Sequence, residues 1–324
     1  MSHEIVAVDI GGTHARFAIA EISDGEVVRL DEPVTLKTAD YASLQSAWDA
    51  YGEMLGRELP RSASIALATT IIGDVLKLTN NPWIIQRTTI SQILKVDRHV
   101  LINDFGAVGH AVATLPDTQF THLAGPAESW RNKAVISVIG PGTGLGVASL
   151  VLGKDHYHVV EAEGGHIGYA PLDAIEDAIL SRLRQQFSRV SAERVVSGPG
   201  LSVIYHVLAA QEGRSVVALS DAELWTRALE GSDSLAAAAF ERFCLSLGSV
   251  AGDIVLAQGG RALVIAGGLG LRIAEQLGQS GFMSRFVAKG RFQHLMETIP
   301  VHIITHPQPG LYGAAAAFAQ EHGL

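Results

Sequence analysis

Residues 6–20 read Val6-Ala7-Val8-Asp9-Ile10-Gly11-Gly12-Thr13-His14-Ala15-Arg16-Phe17-Ala18-Ile19-Ala20. Two apolar runs flank a turn of two glycines and a threonine, which predicts strands over 4–10 and 15–21. Glycine lets a ligand approach the backbone closely. A Gly-rich turn can aim several N–H groups into one concavity suited to phosphate, and threonine adds a hydroxyl donor. Asp9 stands at the strand end, where its carboxylate can face a metal bound to such phosphates. It would do so directly or through water, because Mg²⁺ prefers few carboxylates and several waters. The plain alternative is a hairpin turn with no ligand.

The same plan returns further on. Residues 134–139 predict a strand, GPGTGLG follows at 140–146, and 147–151 predict another strand. This reads as an internal repeat. A third strand, 262–266, runs into Gly267-Gly268-Leu269-Gly270, in a strand-to-helix setting suited to nucleotide contact. Other phosphate motifs do not fit. G-x-x-x-x-G-K-[ST] does not occur, and GPGTGLG has G-x-G-x-G spacing and leads into a strand. Elsewhere the pattern predicts a strand over 27–35 and a helix over 40–58, where Tyr41, Leu44, Trp48, Tyr51 and Leu55 recur at helical spacing. Strands follow over 63–68 and 100–102, then helices over 172–190, 234–258 and 310–319. Alternating strands and helices argue an α/β sheet protein.

The chain has 324 residues, which makes two domains the expectation. It is 48% apolar and 18% charged, with a formal charge of −9. That balance is globular, and it argues against binding to nucleic acid or an anionic membrane, both of which need a basic face. The single cysteine, Cys244, excludes an internal disulfide and a Cys-based zinc cluster, and reads as a core residue. The Met-Ser-His-Glu start is not a basic leader. The apolar stretch LSLGSVAGDIVLA is interrupted by glycines and Asp253, so it reads as a buried helix, and a cytoplasmic protein is expected.

Three further clusters carry possible chemistry. Asn103-Asp104 follows the strand ending at Ile102. A strand-end Asp facing a cleft suits a general base for a hydroxyl nucleophile, while an Asx turn or helix cap is the alternative. Glu163-Gly164-Gly165-His166 offers a carboxylate and a ring on a tight turn, as sugar hydroxyls require. A metal role for His166 is disfavoured, because no second His stands at ligand spacing. Glu193, in Ser191-Ala192-Glu193-Arg194, adds another carboxylate, with a helix cap or surface ion pair as the alternative. His156 and His158 read as an exposed strand face.

Taken in order, VAVDIGGTHARFAIAE, LTNNPW, INDFGAVGHA, GPGTGLGVA, EGGHIGYAP, SAERVVSGPGL, IAGGL and PGLYGAAA run nearly end to end. The series resembles the bacterial ATP-dependent glucokinases of the actin/hexokinase/Hsp70 superfamily. The resemblance implies an α/β, two-domain actin-like ATPase (ribonuclease H-like) fold with a central cleft. A small domain would comprise 1–105 plus 307–324, and a large one 106–306. It implies that Asp9, Ile10, Gly11, Gly12, Thr13, His14, Gly142, Thr143, Gly144, Gly267, Gly268 and Leu269 bind ATP, with Asp9 serving Mg²⁺. Asn103, Asp104, Glu163, His166 and Glu193 would hold glucose, and Asp104 would take the proton of its 6-hydroxyl. A homodimer is the family expectation.

One departure stands out. Where the family usually reads Pro and then ITGD, this chain reads Thr69-Thr70-Ile71-Ile72-Gly73-Asp74, which leaves fine sugar selectivity open. The Cys-rich zinc motif of the related ROK kinases is not here. The competing readings are a kinase for another hexose, a sugar-independent actin-like ATPase module, and a sugar sensor without turnover. The intact Asp104 speaks against the last.

Overall fold

The computed structural model describes residues 2–78, 81–154, 156–216 and 218–324. Thr79 and Asn80 of the LTNNPW motif lie outside the described residues. The chain divides into two compact units. The first is Met1–Pro116, Val159–Glu161 and His306–Leu324, and the second is Asp117–His158 and Ala162–Thr305.

The first unit holds strands β1 (His3–Ile10), β2 (His14–Ser23), β3 (Glu26–Leu30) and β4 (Val34–Lys37), helix α1 (Leu44–Leu55), β5 (Ser62–Leu67), β6 (Val75–Lys77), β7 (Ile84–Gln86), α2 (Ile90–Leu94), β8 (Arg98–Asn103) and α3 (Asp104–Thr114). Its sheet runs β3-β2-β1-β5-β8, with β4 paired to β2. β1 is antiparallel to β2, and β1, β5 and β8 are parallel. Alternation along β1 serves two cores. Val6, Val8 and Ile10 face α1, while Ile5 and Ala7 face the opposite core.

The expected strand over 27–35 is two strands, β3 and β4. Pro33 between them has no N–H to give a ladder. The helix expected over 40–58 starts later, at Leu44. Ser43 caps it by accepting the Ser46 N–H, and Ser46 caps in return.

The second unit holds β9 (Phe120–Ala124), β10 (Val135–Pro141), β11 (Leu145–Leu152), β12 (Tyr157–Ala162), helices α4 (Ala174–Arg184), α5 (Gly200–Gln211), α6 (Asp221–Glu230) and α7 (Ser234–Gln258), β13 (Ala262–Ile265), α8 (Gly267–Arg272), α9 (Ala274–Gln279), α10 (Phe282–Val287), α11 (Gln293–Glu297) and β14 (Val301–Ile304). The centre of β12, residues 159–161, clusters with the first unit. The sheet order is β12-β11-β10-β13-β14-β9. β10 and β11 form an antiparallel hairpin, and β10, β13 and β14 are parallel. The repeated plan of strand, glycines and strand is therefore the same hairpin, leading into two parallel partners, in both sheets.

The helix over 234–258 is observed with those bounds as α7. By length and composition it could cross a membrane, yet 72% of its most apolar stretch is buried within the protein. Cys244 lies in that core, fully buried, with its thiol pushed up to about 12 by burial. The helix expected over 172–190 is shorter, ending at Arg184. At its start, Asp173 and the buried Glu176 meet Arg242 of α7 and Arg285 of α10.

The chain returns to the first unit as α12 (Pro309–His322). Proline suits its first turn, where the N–H has no helical partner. Leu311, Ala314, Ala315 and Phe318 complete the core on the Ile5–Ala7 face. The backbone at Gly313 packs so tightly on the Ala107 carbonyl of α3 that no side chain fits between them. This contact explains why α3 clusters with the first unit as far as Pro116, whereas the sequence division ends the small domain at 105.

Candidate functional site

In the first unit, the C-terminal ends of three parallel strands align. Ile10 pairs with Leu67, and Leu67 pairs with Asn103. The Gly11–Thr13 loop and Asp104 therefore leave the same sheet edge, two strand spacings or about 9.5 Å apart. Such carboxyl ends are where α/β sheets commonly take ligands. The loop's oxygens are tied to the protein. Asn81 Nδ2 donates to the Gly11 carbonyl at 2.9 Å, and Thr38 Oγ1 to that of Gly12 at 3.2 Å. The Thr38 N–H donates to the Thr13 carbonyl at 3.0 Å. A trans peptide points its N–H opposite its C=O, so the Gly12 and Thr13 N–H groups face away from these anchors. No acceptor takes them among the described residues. The neighbouring Thr13 hydroxyl lies 2.9 Å from His14 Nδ1, and both side chains are exposed.

Asp9 continues the Ile5–Ala7 face and points toward the start of α12. A Cβ on Gly310 would stand 3.1 Å from its Oδ2, so glycine leaves the carboxylate room. Arg16, its direct partner across the hairpin, donates from Nη1 at 3.2 Å. Burial pushes the Asp9 carboxyl above its ordinary value, and Arg16 offsets this only in part. Here is one carboxylate, 21% exposed, whose anion still lacks positive charge. Among the described residues, no group of three or more His, Cys, Asp or Glu could hold a metal alone. The donor set suits Mg²⁺ carried in by phosphates, with water filling the other positions.

Asn103 is buried and caps α3. Its Oδ1 accepts the N–H groups of Phe105 at 2.8 Å and Gly106 at 3.0 Å, and its Nδ2 donates to the Thr69 carbonyl at 3.2 Å. The helix-cap alternative is thus realised, and it leaves one amide hydrogen for a ligand. Asp104 opens α3 half-buried, and its Oδ1 accepts the Phe105 N–H at 2.8 Å. The Asn103 N–H donates to Glu161 Oε1 at 2.9 Å, a partner the sequence did not single out.

In the second unit, Glu163, His166 and Glu193 come together. His166 Nδ1 lies 3.6 Å from Glu193 Oε1, and its Nε2 lies 3.9 Å from Glu163 Oε2. These gaps are too wide for hydrogen bonds, so all three polar ends can serve a hydroxyl-rich ligand. The second Gly loop adjoins them. A Cβ on Gly144 would fall 2.8 Å from Glu193 Oε2, whereas Gly142 faces open space. The Gly142 carbonyl is held by the Gly198 N–H at 2.7 Å, and Thr143 is exposed. Gly267 turns β13 into α8 with φ +86°, which glycine accepts freely, and it packs beside the Pro141 carbonyl. Gly268 is open and Leu269 half-buried. The 142–144 and 267–269 loops thus sit at the ends of the adjacent parallel strands β10 and β13. Sequence reasoning missed Arg16, Thr38 and Asn81 as supports. Arg16 was readable, because a turn centred on Gly12-Thr13 sets it opposite Asp9.

Known proteins resemble this chain over nearly its whole length. The glucokinase family profile matches residues 6–321. The chain is 59% identical over 319 residues to a glucokinase of Zymomonas mobilis subsp. mobilis, covering 98% of both chains. It superposes on the crystal structure of a glucokinase from an Antarctic psychrotroph with a TM-score of 0.83 and 34% identity, covering 98% of this chain and 99% of that one. A ROK-family glucokinase from Streptomyces griseus, solved with glucose and AMPPNP, shares the fold with a TM-score of 0.64 and 18% identity, covering 98% and 99%.

Proposed function

The chain belongs to the glucokinase family, and from that premise we propose how its residues carry out the reaction. It is a phosphotransferase with an alcohol acceptor, built on the actin-like ATPase fold, and it phosphorylates glucose with ATP. The γ-phosphoryl group passes to the sugar 6-hydroxyl, giving glucose 6-phosphate and ADP.

The observation that supports the division of labour is the Ile10–Leu67–Asn103 row, which sets the first Gly loop and Asp104 on one sheet edge. Asp104 takes the proton of the 6-hydroxyl and orients that oxygen for in-line attack. A new bond forms from O6 to the γ-phosphorus as the bond to the ADP oxygen breaks. The transition state of such transfers is loose, so positioning and charge neutralisation dominate. Asn103 shapes the turn and offers its remaining amide hydrogen. Glu163 and Glu193 accept pairs of sugar hydroxyl hydrogens, and His166 fixes their orientation. The N–H groups of Gly12 and Thr13 and the loops 142–144 and 267–269 serve ATP. Bound with ATP, Mg²⁺ would neutralise phosphate charge, and Asp9 would hold it directly or through water. A cytoplasmic homodimer completes the proposal.

The decisive experiment is a coupled assay of ADP release with Mg·ATP, run against a panel of hexoses and a blank without sugar. Strong release with glucose and near-zero release in the blank is the expected result. Equal release with every sugar and in the blank would identify a sugar-independent ATPase and dissolve the assignment of the polar set.

A further inference from the structure

We propose that Glu161 is a positioning residue for Asp104, an inference that rests on Asp104 acting as the base. β8 is the edge strand of its sheet, so one set of its N–H groups has no strand partner. The Asn103 N–H belongs to that set, and Glu161 Oε1 accepts it at 2.9 Å. A charged acceptor makes this one of the stronger kinds of hydrogen bond. The same side chain lies over the first turn of α3. A Cβ on Gly106 would stand 2.5 Å from Glu161 Oε1 and 2.8 Å from its Cγ.

Glu161 therefore grips the segment on both sides of Asp104: residue 103 by a hydrogen bond and residue 106 by close packing. On the inside, Asn103 Oδ1 holds the N–H groups of residues 105 and 106. With the turn clamped from two directions, the direction of the Asp104 side chain is set before any ligand arrives. Misplacement of a reacting group by about 1 Å can cost on the order of 100-fold in rate, so a clamp on this turn is a lever on kcat.

Two independent changes release the clamp. Glu161→Ala removes the acceptor, and Gly106→Ala pushes Glu161 away from the other side while adding a residue that helices favour. Glu161→Gln keeps the acceptor oxygen and loses the charge. Each variant is measured for folding by thermal melt, for kcat, for glucose KM and, without turnover, for glucose affinity. We expect Glu161→Ala and Gly106→Ala to lower kcat about tenfold or more, with glucose affinity held within about threefold. Glu161→Gln should recover most of the loss.

The deciding arm is the pair Glu161→Ala with Asp104→Asn. Acting through Asp104, Glu161→Ala changes the residual rate of Asp104→Asn by less than about twofold. The same loss in both backgrounds, or wild-type kcat in Glu161→Ala and Gly106→Ala, would overturn the proposal. Wild-type kcat in Asp104→Asn alone would remove the base itself, a distinct failure that takes this inference with it.

Discussion

Arg16 Nη1 lies 3.2 Å from Asp9 Oδ2, and the two residues are direct cross-strand partners in the β1–β2 hairpin. The pair is unequal. Arg16 is 43% exposed and remains well hydrated, whereas Asp9 carries the burial cost. Burial raises the Asp9 carboxyl, and Arg16 offsets this only in part. The folded state therefore holds a proton more readily than the unfolded one, and stability falls as pH rises from the ordinary carboxyl range through the folded value.

Asp9→Asn should separate stability from activity. It removes the buried charge and keeps an oxygen for Arg16. We expect its Tm at neutral pH to rise by about 1–3 °C, with the gain vanishing in acid below the ordinary aspartate range. Activity should fall sharply. Differential scanning calorimetry across pH checks the first part, and a Tm no higher than wild type at neutral pH would refute it.

Asp104→Asn should lower kcat by about 10²–10⁴, the usual worth of a positioned base. The α3 N-terminus is capped by Asn103, so the fold should survive. Steady-state kinetics paired with calorimetric titration of glucose tests this. An unchanged kcat would exclude Asp104 from the role.

The tight approach of Gly144 to Glu193 gives a handle on the sugar side. Gly144→Ala would bring a Cβ within 2.8 Å of Glu193 Oε2 and push that carboxylate aside. Glucose KM should rise about tenfold while Tm stays near wild type, because losing one well-placed polar contact costs about 1–2 kcal/mol. A KM change for ATP alone would place the effect on the nucleotide instead.

The cluster of Asp173, Glu176, Arg242 and Arg285 ties α4 to α7 and α10. Burial pushes the Asp173 carboxyl up, but the Glu176 N–H and the two guanidiniums outweigh it and hold the group below its ordinary value. Its contribution is present above the ordinary aspartate range and is lost as pH falls toward the folded value. Asp173→Asn should lower Tm at neutral pH and flatten its fall in acid. Arg242→Ala leaves Glu176, 1% exposed, short of a partner and should cost about 3–5 kcal/mol. Chemical denaturation at neutral and acid pH measures both effects. Parallel curves for Asp173→Asn and wild type would rule out this reading of the cluster.

Legibility followed the reach of local signals. Strands β1, β2, β10 and β11 showed as apolar runs bounded by glycine, and α7 showed as a long buried helix. The hairpin β6–β7 did not, since three residues per strand are too few to display alternation. The split at Pro33 and the late start of α1 depended on a missing donor and on a reciprocal serine cap. Single residues proposed for the site were legible where chemistry is tied to sequence neighbours, as with Asp9 beside Gly11–Thr13. They were not where the partner lies far along the chain. Glu161 serves a backbone group 58 positions away, Asn81 one 70 positions away, and no periodicity announces either.

The placement of α12 bears on how the protein is made. A ribosome reads 117–305 before it reaches Pro309, so every residue of the second unit, the shared strand centre at 159–161 included, is made while the first unit still waits for a helix. Until that helix emerges, the Ile5–Ala7 face and the α3 surface at Ala107 lack their cover. A nascent chain stalled in this window would expose the apolar Ile5–Ala7 face and the Asp9 carboxylate together.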